Sequence, residues 1–159
     1  MSTVEQQPQA SANGARGKTI AVTNKATGEV IGHVPDLDPE HIRDLVARAR
    51  AAQPAWDALG FDGRRAVLLD LRKWLVDNLD RVCQTIVEEN GKSWEDAQLG
   101  IFYTADALTF WGKRAKKYLA DQTFRPHSAF LLGSKAILRY RPYGVVGVIG
   151  PWNYPLINN

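Results

Sequence analysis

The chain has 159 residues, 45% of them apolar and 23% charged, and a formal net charge of +3. That ordinary globular balance excludes a wholly disordered, collagen-like or disulfide-stapled chain, and the length suffices for a core that needs no metal or cross-link. The single cysteine, Cys83, rules out an intramolecular disulfide and every multi-cysteine zinc pattern, and points to a reducing, cytoplasmic setting.

Residues 1–17, MSTVEQQPQASANGARG, lack a basic start followed by an apolar run and are expected to be a disordered tail, not a secretory signal. Beyond them, Thr19-Ile20-Ala21-Val22 and Glu29-Val30-Ile31-Gly32-His33-Val34 flank Asn24-Lys25-Ala26-Thr27-Gly28, β-prone runs around a loop that contains glycine, which predicts a hairpin. Asp38-Pro39-Glu40 supplies an N-cap, a proline at the first helical position and an early acid. A helix with one buried stripe (Ile42, Leu45, Val46, Ala49, Ala52) is predicted, stopping before Pro54. A second helix is predicted after Asp62, burying Val67, Leu68, Leu71, Trp74, Leu75 and Leu79. A short third, capped by Asp80, carries Val82, Cys83, Ile86 and Val87 and ends at Asn90-Gly91.

Ser93-Trp94-Glu95-Asp96 opens the longest predicted helix, with Leu99, Phe102, Tyr103, Ala107, Leu108, Phe110, Trp111, Ala115 and Leu119 in a band wide enough to pack on more than one side. Its basic cluster, Lys113, Arg114, Lys116 and Lys117, sits where a helix C-terminus favours cations. That is the reading of a solvated helix end, so no nucleic-acid partner is expected. Ala136–Arg141 alternates as a half-exposed strand, with Ala136, Leu138 and Tyr140 on one face.

Val145-Val146-Gly147-Val148-Ile149 has no polar residue, as a strand covered on both faces of a parallel sheet reads. Only ten residues follow Ile149, fewer than the dozen or more that a crossover to a parallel neighbour requires, so the rest of that sheet is expected outside this chain. The uncharged stretch from Pro142 to Asn159 carries three prolines and three glycines, which argues against a membrane span.

After the strand comes Gly150, then a turn bracketed by Pro151 and Pro155 that presents Trp152, Asn153 and Tyr154. Ligands of open α/β sheets bind beyond the carboxyl ends of the strands, and an Asn153 amide fixed there could donate to a developing oxyanion. Without further context, Trp152 reads as a packing aromatic and Asn153 as a turn residue bonded to its own backbone.

Together these residues resemble the N-terminal part of the NAD(P)-dependent aldehyde dehydrogenases. The signature, as it stands at residues 141–155, is R-P-x-G-V-V-G-V-I-x-P-W-N-Y-P, preceded in the usual order by Asn24–Ile31, Ala52-Gln53-Pro54-Ala55-Trp56 and Glu89-Asn90-Gly91-Lys92; the likeness covers residues 19–159. The fold it implies is α/β: a hairpin, four helices, a bridging strand and the first strand of a parallel Rossmann-like sheet. Residues 18–159 would form the N-terminal part of the domain, incomplete in this chain, with a catalytic turn at 144–155. The implied reaction oxidises an aldehyde to an acid through a cysteine thiohemiacetal and a thioester, with hydride passing to NAD or NADP.

By position, Asn153 matches the family's oxyanion-hole asparagine, Ile149, Gly150, Pro151 and Trp152 its cofactor-lining segment, and Tyr154 a wall of the aldehyde tunnel. The strand at Ala136–Arg141 resembles the bridging strands that join subunits, which implies a homo-oligomer.

The family's nucleophilic cysteine, its general-base glutamate, its G-x-T-x-x-G turn and its ribose-binding lysine lie downstream of the P-W-N segment, so the chain alone is expected to be inactive. Cys83 is not a substitute: it shares helical spacing with Val82, Ile86 and Val87 and reads as a buried, inert thiol. Glu88 and Glu89 read as a solvated helix tip. Gly144, Gly147 and Gly150 do not follow the G-x-G-x-x-G order of a phosphate cradle, and His33, His41 and His127 have no metal-ligand spacing. A second reading is a non-catalytic assembly module that completes its sheet with a partner chain.

Overall fold

The computed structural model describes residues 18–158; the tail expected over residues 1–17 lies outside the described residues. The predicted hairpin opens the chain. β1 (Thr19–Thr23) pairs antiparallel with β2 (Val30–Pro35), placing Ile20 opposite Val34 and Val22 opposite Gly32. Asn24 shapes the connection, its side-chain oxygen accepting from the N–H groups of Ala26 and Thr27 at 2.9 and 3.2 Å.

Helix α1 (Pro39–Ala58) starts where Asp38-Pro39 predicts. The Asp38 carboxylate accepts from the N–H groups of Glu40 and His41, both at 2.9 Å. These bonds, the one from the His41 backbone foremost, hold its pKa below the ordinary carboxylate value. The helix does not stop before Pro54 as expected. Proline forfeits one N–H donor, but the chain reverses only at Gly60, whose φ of +60° an L-residue would resist. The Asp57 carbonyl near the helix end accepts from the Leu59 N–H and from Arg64, the latter at 3.3 Å. Nor is the apolar stripe buried: none of the α1 residues is buried, and Ile42, Leu45 and Val46 are exposed. Periodicity placed these residues on one side of a helix, and no described element covers that side.

Helices α2 (Gly60–Asp77) and α4 (Trp94–Tyr118) make the most extensive helix pair, and α3 (Leu79–Asn90) also packs on α4. Asp80 is not the α3 cap. Asn78 occupies that place without a side-chain cap bond, and Asp80 stands in the first turn, where its charge still favours the helix N-terminus. The core is Leu75, Cys83, Ile86, Ala97 and Ile101, with Leu79, Val82, Val87, Trp94, Leu108 and Leu156 packed against it. Helix α4 contributes the row Ala97, Ile101 and Ala105, four residues apart and so on one face. Its conspicuous aromatics are outside: Phe102, Tyr103, Phe110 and Trp111 are exposed, as are Val67, Leu71 and Trp74 of α2, which were expected to be buried.

The strand expected over 136–141 is shorter, β4 (Ala136–Leu138), and pairs antiparallel with an unanticipated β3 (Gln122–Phe124). Ala136 is half-buried, whereas Leu138 and Tyr140 are exposed. Arg139 closes this small sheet with a fork onto Asp121, Nε to Oδ2 at 2.8 Å and Nη2 to Oδ2 at 2.5 Å. The Arg139 guanidinium holds the Asp121 carboxyl below its ordinary value, and Asp121 in turn raises Arg139.

The run at 145–149 is not a strand in this chain. It has no regular secondary structure and no ladder partner among the described residues, and it is not covered: Val146 and Val148 are exposed and Ile149 is fully so, at 101%. A strand is a hydrogen-bonded relation between two segments, and the second segment is not described here. The remaining elements make the mixed α/β arrangement that was expected. No described helix is long and apolar enough to cross a membrane.

Candidate functional site

The turn that follows residue 150 lies against the junction of α3 and α4. That junction is built by two capping signals in succession. Gly91 ends α3 in the left-handed conformation, φ +76°, its N–H bonded to the Val87 carbonyl, and Ser93 begins α4, its hydroxyl accepting from the Asp96 N–H at 3.2 Å. A Cβ on Gly91 would lie 3.2 Å from Cβ of Lys25, so the hairpin loop also approaches closely here. Lys25 itself donates its backbone N–H to the Glu88 carbonyl at 3.0 Å.

The residues on either side of Gly91 both reach the turn. Asn90 Nδ2 donates to the Trp152 carbonyl at 2.5 Å. Lys92 Nζ stands 3.5 Å from the centroid of the Tyr154 ring and 2.7 Å from Asp96 Oδ2, with its side chain only 13% exposed. Leu156, further along, packs against the core cluster. A shallow pocket results, lined by Ile86, Lys92, Gly100, Asn153, Tyr154 and Leu156 among others.

Asn153 sits at this pocket with an exposed side chain that has no hydrogen-bond partner among the described residues. It is therefore not a turn residue bonded to its own backbone. Its carboxamide keeps two N–H donors for whatever enters, and a positioned amide of this kind can receive negative charge developing on an oxygen. Trp152, 70% exposed, borders an adjacent open cleft with Val22, Lys25, Glu89 and Asn90. Ile149, Gly150 and Pro151 lead into the turn as exposed residues. The structure thus brings Asn153 and Tyr154 into one pocket and sets Trp152 beside it, while residues 149–151 form an open approach.

Asn90 and Lys92 were not among the candidate residues. The local signals were Asn90-Gly91, which read as a helix stop, and the Glu89-Asn90-Gly91-Lys92 segment as one piece of the family resemblance, neither of which gives Asn90 or Lys92 a role. Elsewhere the expectations about chemistry fare simply. Cys83 is fully buried, burial pushes its thiol up from its ordinary value, and the Asp80 carboxylate adds to the effect, so it is a poor nucleophile. Lys116, in the last turn of α4, lies 3.6 Å from Asp62. Among the described residues, His, Cys, Asp and Glu form no group that could hold a metal ion.

The chain is similar to known proteins over most of its length. The chain is 38% identical over 138 residues to 4,4'-diapolycopene aldehyde oxidase of Methylomonas sp, a match covering 86% of this chain and 26% of that protein. It is 36% identical over 142 residues to glutarate-semialdehyde dehydrogenase of Pseudomonas putida, covering 87% of this chain and 28% of that one. Among solved structures, aldehyde dehydrogenase 21 from Physcomitrella patens, in complex with the reaction product succinate, superposes with a TM-score of 0.81 at 30% identity, over 91% of this chain and 30% of that one. An NADP-dependent enzyme of E. coli superposes with a TM-score of 0.80 at 28% identity, over 88% of this chain and 28% of that one. The chain therefore spans between about a quarter and a third of the length of these relatives. The sequence model of the aldehyde dehydrogenase family matches residues 12–159, and this chain, of which those residues are nearly the whole, belongs to that family.

Proposed function

We propose that residues 18–159 supply the N-terminal part of an NAD(P)-dependent aldehyde dehydrogenase that oxidises an aldehyde to a carboxylic acid, with Asn153 as a donor to the substrate oxygen. The observation that carries this reading is the unpartnered Asn153 amide, held at a pocket by a turn whose sequence is the family's signature. When a nucleophile adds to an aldehyde carbonyl, charge gathers on the oxygen. An amide already oriented toward it lowers the barrier without reorganising during the step. The relatives, by name a 4,4'-diapolycopene aldehyde oxidase and glutarate- and succinate-semialdehyde dehydrogenases, share an aldehyde group, which supports an aldehyde as the substrate class.

The cofactor would supply the hydride acceptor. Residues 149–152 fit one wall of its site: Ile149 and Trp152 present apolar surface to solvent, suited to a nucleoside face. None of the four is charged, so the groups that neutralise its phosphates come from elsewhere. Tyr154, its ring fixed by Lys92, would line the aldehyde's path.

The exposed stripe of α1, the aromatic band of α4 and the unpaired run at 145–149 support the same reading. They are apolar surfaces of the kind a larger fold covers. Among the described residues the two-stranded β3–β4 sheet has no further strand at its edges, which supports a homo-oligomer joined by strand addition, and the single cysteine favours a cytoplasmic setting. In the intact enzyme carrying this segment, aldehydes should drive reduction of NAD+ or NADP+, read by absorbance of the reduced nicotinamide, and the 159-residue chain alone should not. If no aldehyde supports reduction, the reading is wrong.

A further inference from the structure

We propose that Asn90 and Lys92 are positioning residues that hold the catalytic turn on both sides of Asn153, Asn90 through the Trp152 carbonyl and Lys92 through the Tyr154 ring. The inference rests on the assignment of Asn153 as the oxyanion donor. Its basis is geometric. The residue before Asn153 is fixed by a 2.5 Å hydrogen bond, the residue after it by an ammonium 3.5 Å from its ring centroid, and the side chain between them is left without a partner.

Both grips come from one short junction. Asn90 and Lys92 flank Gly91, whose left-handed backbone turns the chain between two helices, so both are anchored in the best-packed part of the structure. Lys92 is itself steadied by Asp96, one helical turn on, at 2.7 Å, and has little freedom to leave the ring. A donor that is free to meet substrate yet cannot wander is what electrostatic catalysis requires, since misplacement by about 1 Å can cost on the order of 100-fold in rate.

Two experiments decide it. By NMR of this chain, the ε-methylene protons of Lys92 should resonate upfield of those of the other lysines because they lie over the Tyr154 ring, and Tyr154→Leu should return them to the common position. Unshifted Lys92 protons overturn the clamp whatever the enzyme does. In the intact enzyme, Lys92→Met and Asn90→Ala should each lower kcat by about 10- to 100-fold, with the cofactor KM unchanged in Lys92→Met, whose contact is with Tyr154 and not with the cofactor-lining segment.

Lys92→Arg, whose guanidinium also stacks on aromatic faces, should recover most of the rate, and it carries the decision if the methionine variant does not fold. Lys73→Met, which breaks the exposed pair with Asp77 on α2, should change nothing. If Asn153→Ala is slow while Lys92→Met and Asn90→Ala keep full kcat, positioning is overturned and the enzyme assignment stands. If Asn153→Ala also keeps full kcat, the assignment fails and the positioning role falls with it.

Discussion

Replacing Gly91 by alanine should loosen the junction on which the site depends, by an amount that follows from two local facts. The backbone there has φ +76°, and an L-residue in the left-handed region costs about 1–2 kcal/mol. The new Cβ would also stand 3.2 Å from Lys25 Cβ, so the hairpin loop must shift by a few tenths of an ångström. Restricting the unfolded chain returns about 0.4–1 kcal/mol, so the backbone alone accounts for a net loss of up to about 1.6 kcal/mol, to which the displacement of the loop adds. In a chain of this size each kcal/mol moves Tm by about 2–4 °C, so the backbone contribution alone should lower thermal unfolding, followed by far-UV circular dichroism, by up to about 6 °C. Gly91→Asn should lose less, because asparagine tolerates the left-handed region. Gly100→Ala is the counterpart: it lies inside α4, an added Cβ meets nothing within 4 Å, and alanine should raise Tm slightly. A Gly91→Ala chain that melts with or above the parent would refute the reasoning.

Three further outcomes are expected. Ile101→Ala, which empties a fully buried position beside Leu75, Cys83 and Ile86, should cost about 2–5 kcal/mol in urea unfolding, whereas Leu99→Ala on the exposed side of the same helix should cost well under that. Because Arg139 lowers the folded-state pKa of Asp121, the β3–β4 sheet is stabilised above the ordinary carboxylate range and loses that support as pH falls through the lowered value; amide protection at 122–124, corrected for the intrinsic exchange rate, should fall in acid, and in an Arg139→Met chain this pH dependence should shrink to the smaller part owed to Arg141. Cys83 should resist maleimide until denaturant opens the core, and prompt labelling in the folded chain would contradict its burial.

Local chemistry was legible in the sequence wherever one or two residues decide the outcome. Asp38-Pro39, Ser93 and Gly91 each satisfy or end a helix terminus on their own, and the helices begin or end where they stand. Pro54 was misjudged because one missing donor is a cost to a helix, not a veto on it. The β3 strand escaped because Gln122-Thr123-Phe124 is defined by its partner and by the Asp121–Arg139 fork, a contact across 18 residues.

The core on α4 was misread for a different reason. Aromatics drew the eye to Phe102 and Trp111, while the buried row is Ala97, Ile101 and Ala105, where small side chains sit at the helix contacts. Periodicity shows which residues share a face, and whether anything covers that face depends on other surfaces. For the same reason α1 and the run at 145–149 are apolar and exposed. Asn153 was found through the motif around it. Its supports, Asn90 and Lys92, lie about sixty residues upstream, beyond any local pattern.

The most direct test of the proposed role is the rate of aldehyde oxidation by the intact enzyme with Asn153→Ala. Loss of one oxyanion donor typically costs about 2.7–4 kcal/mol of barrier, so kcat should fall by about 10²- to 10³-fold with the fold and cofactor KM preserved. An unchanged kcat in a folded Asn153→Ala enzyme would contradict it.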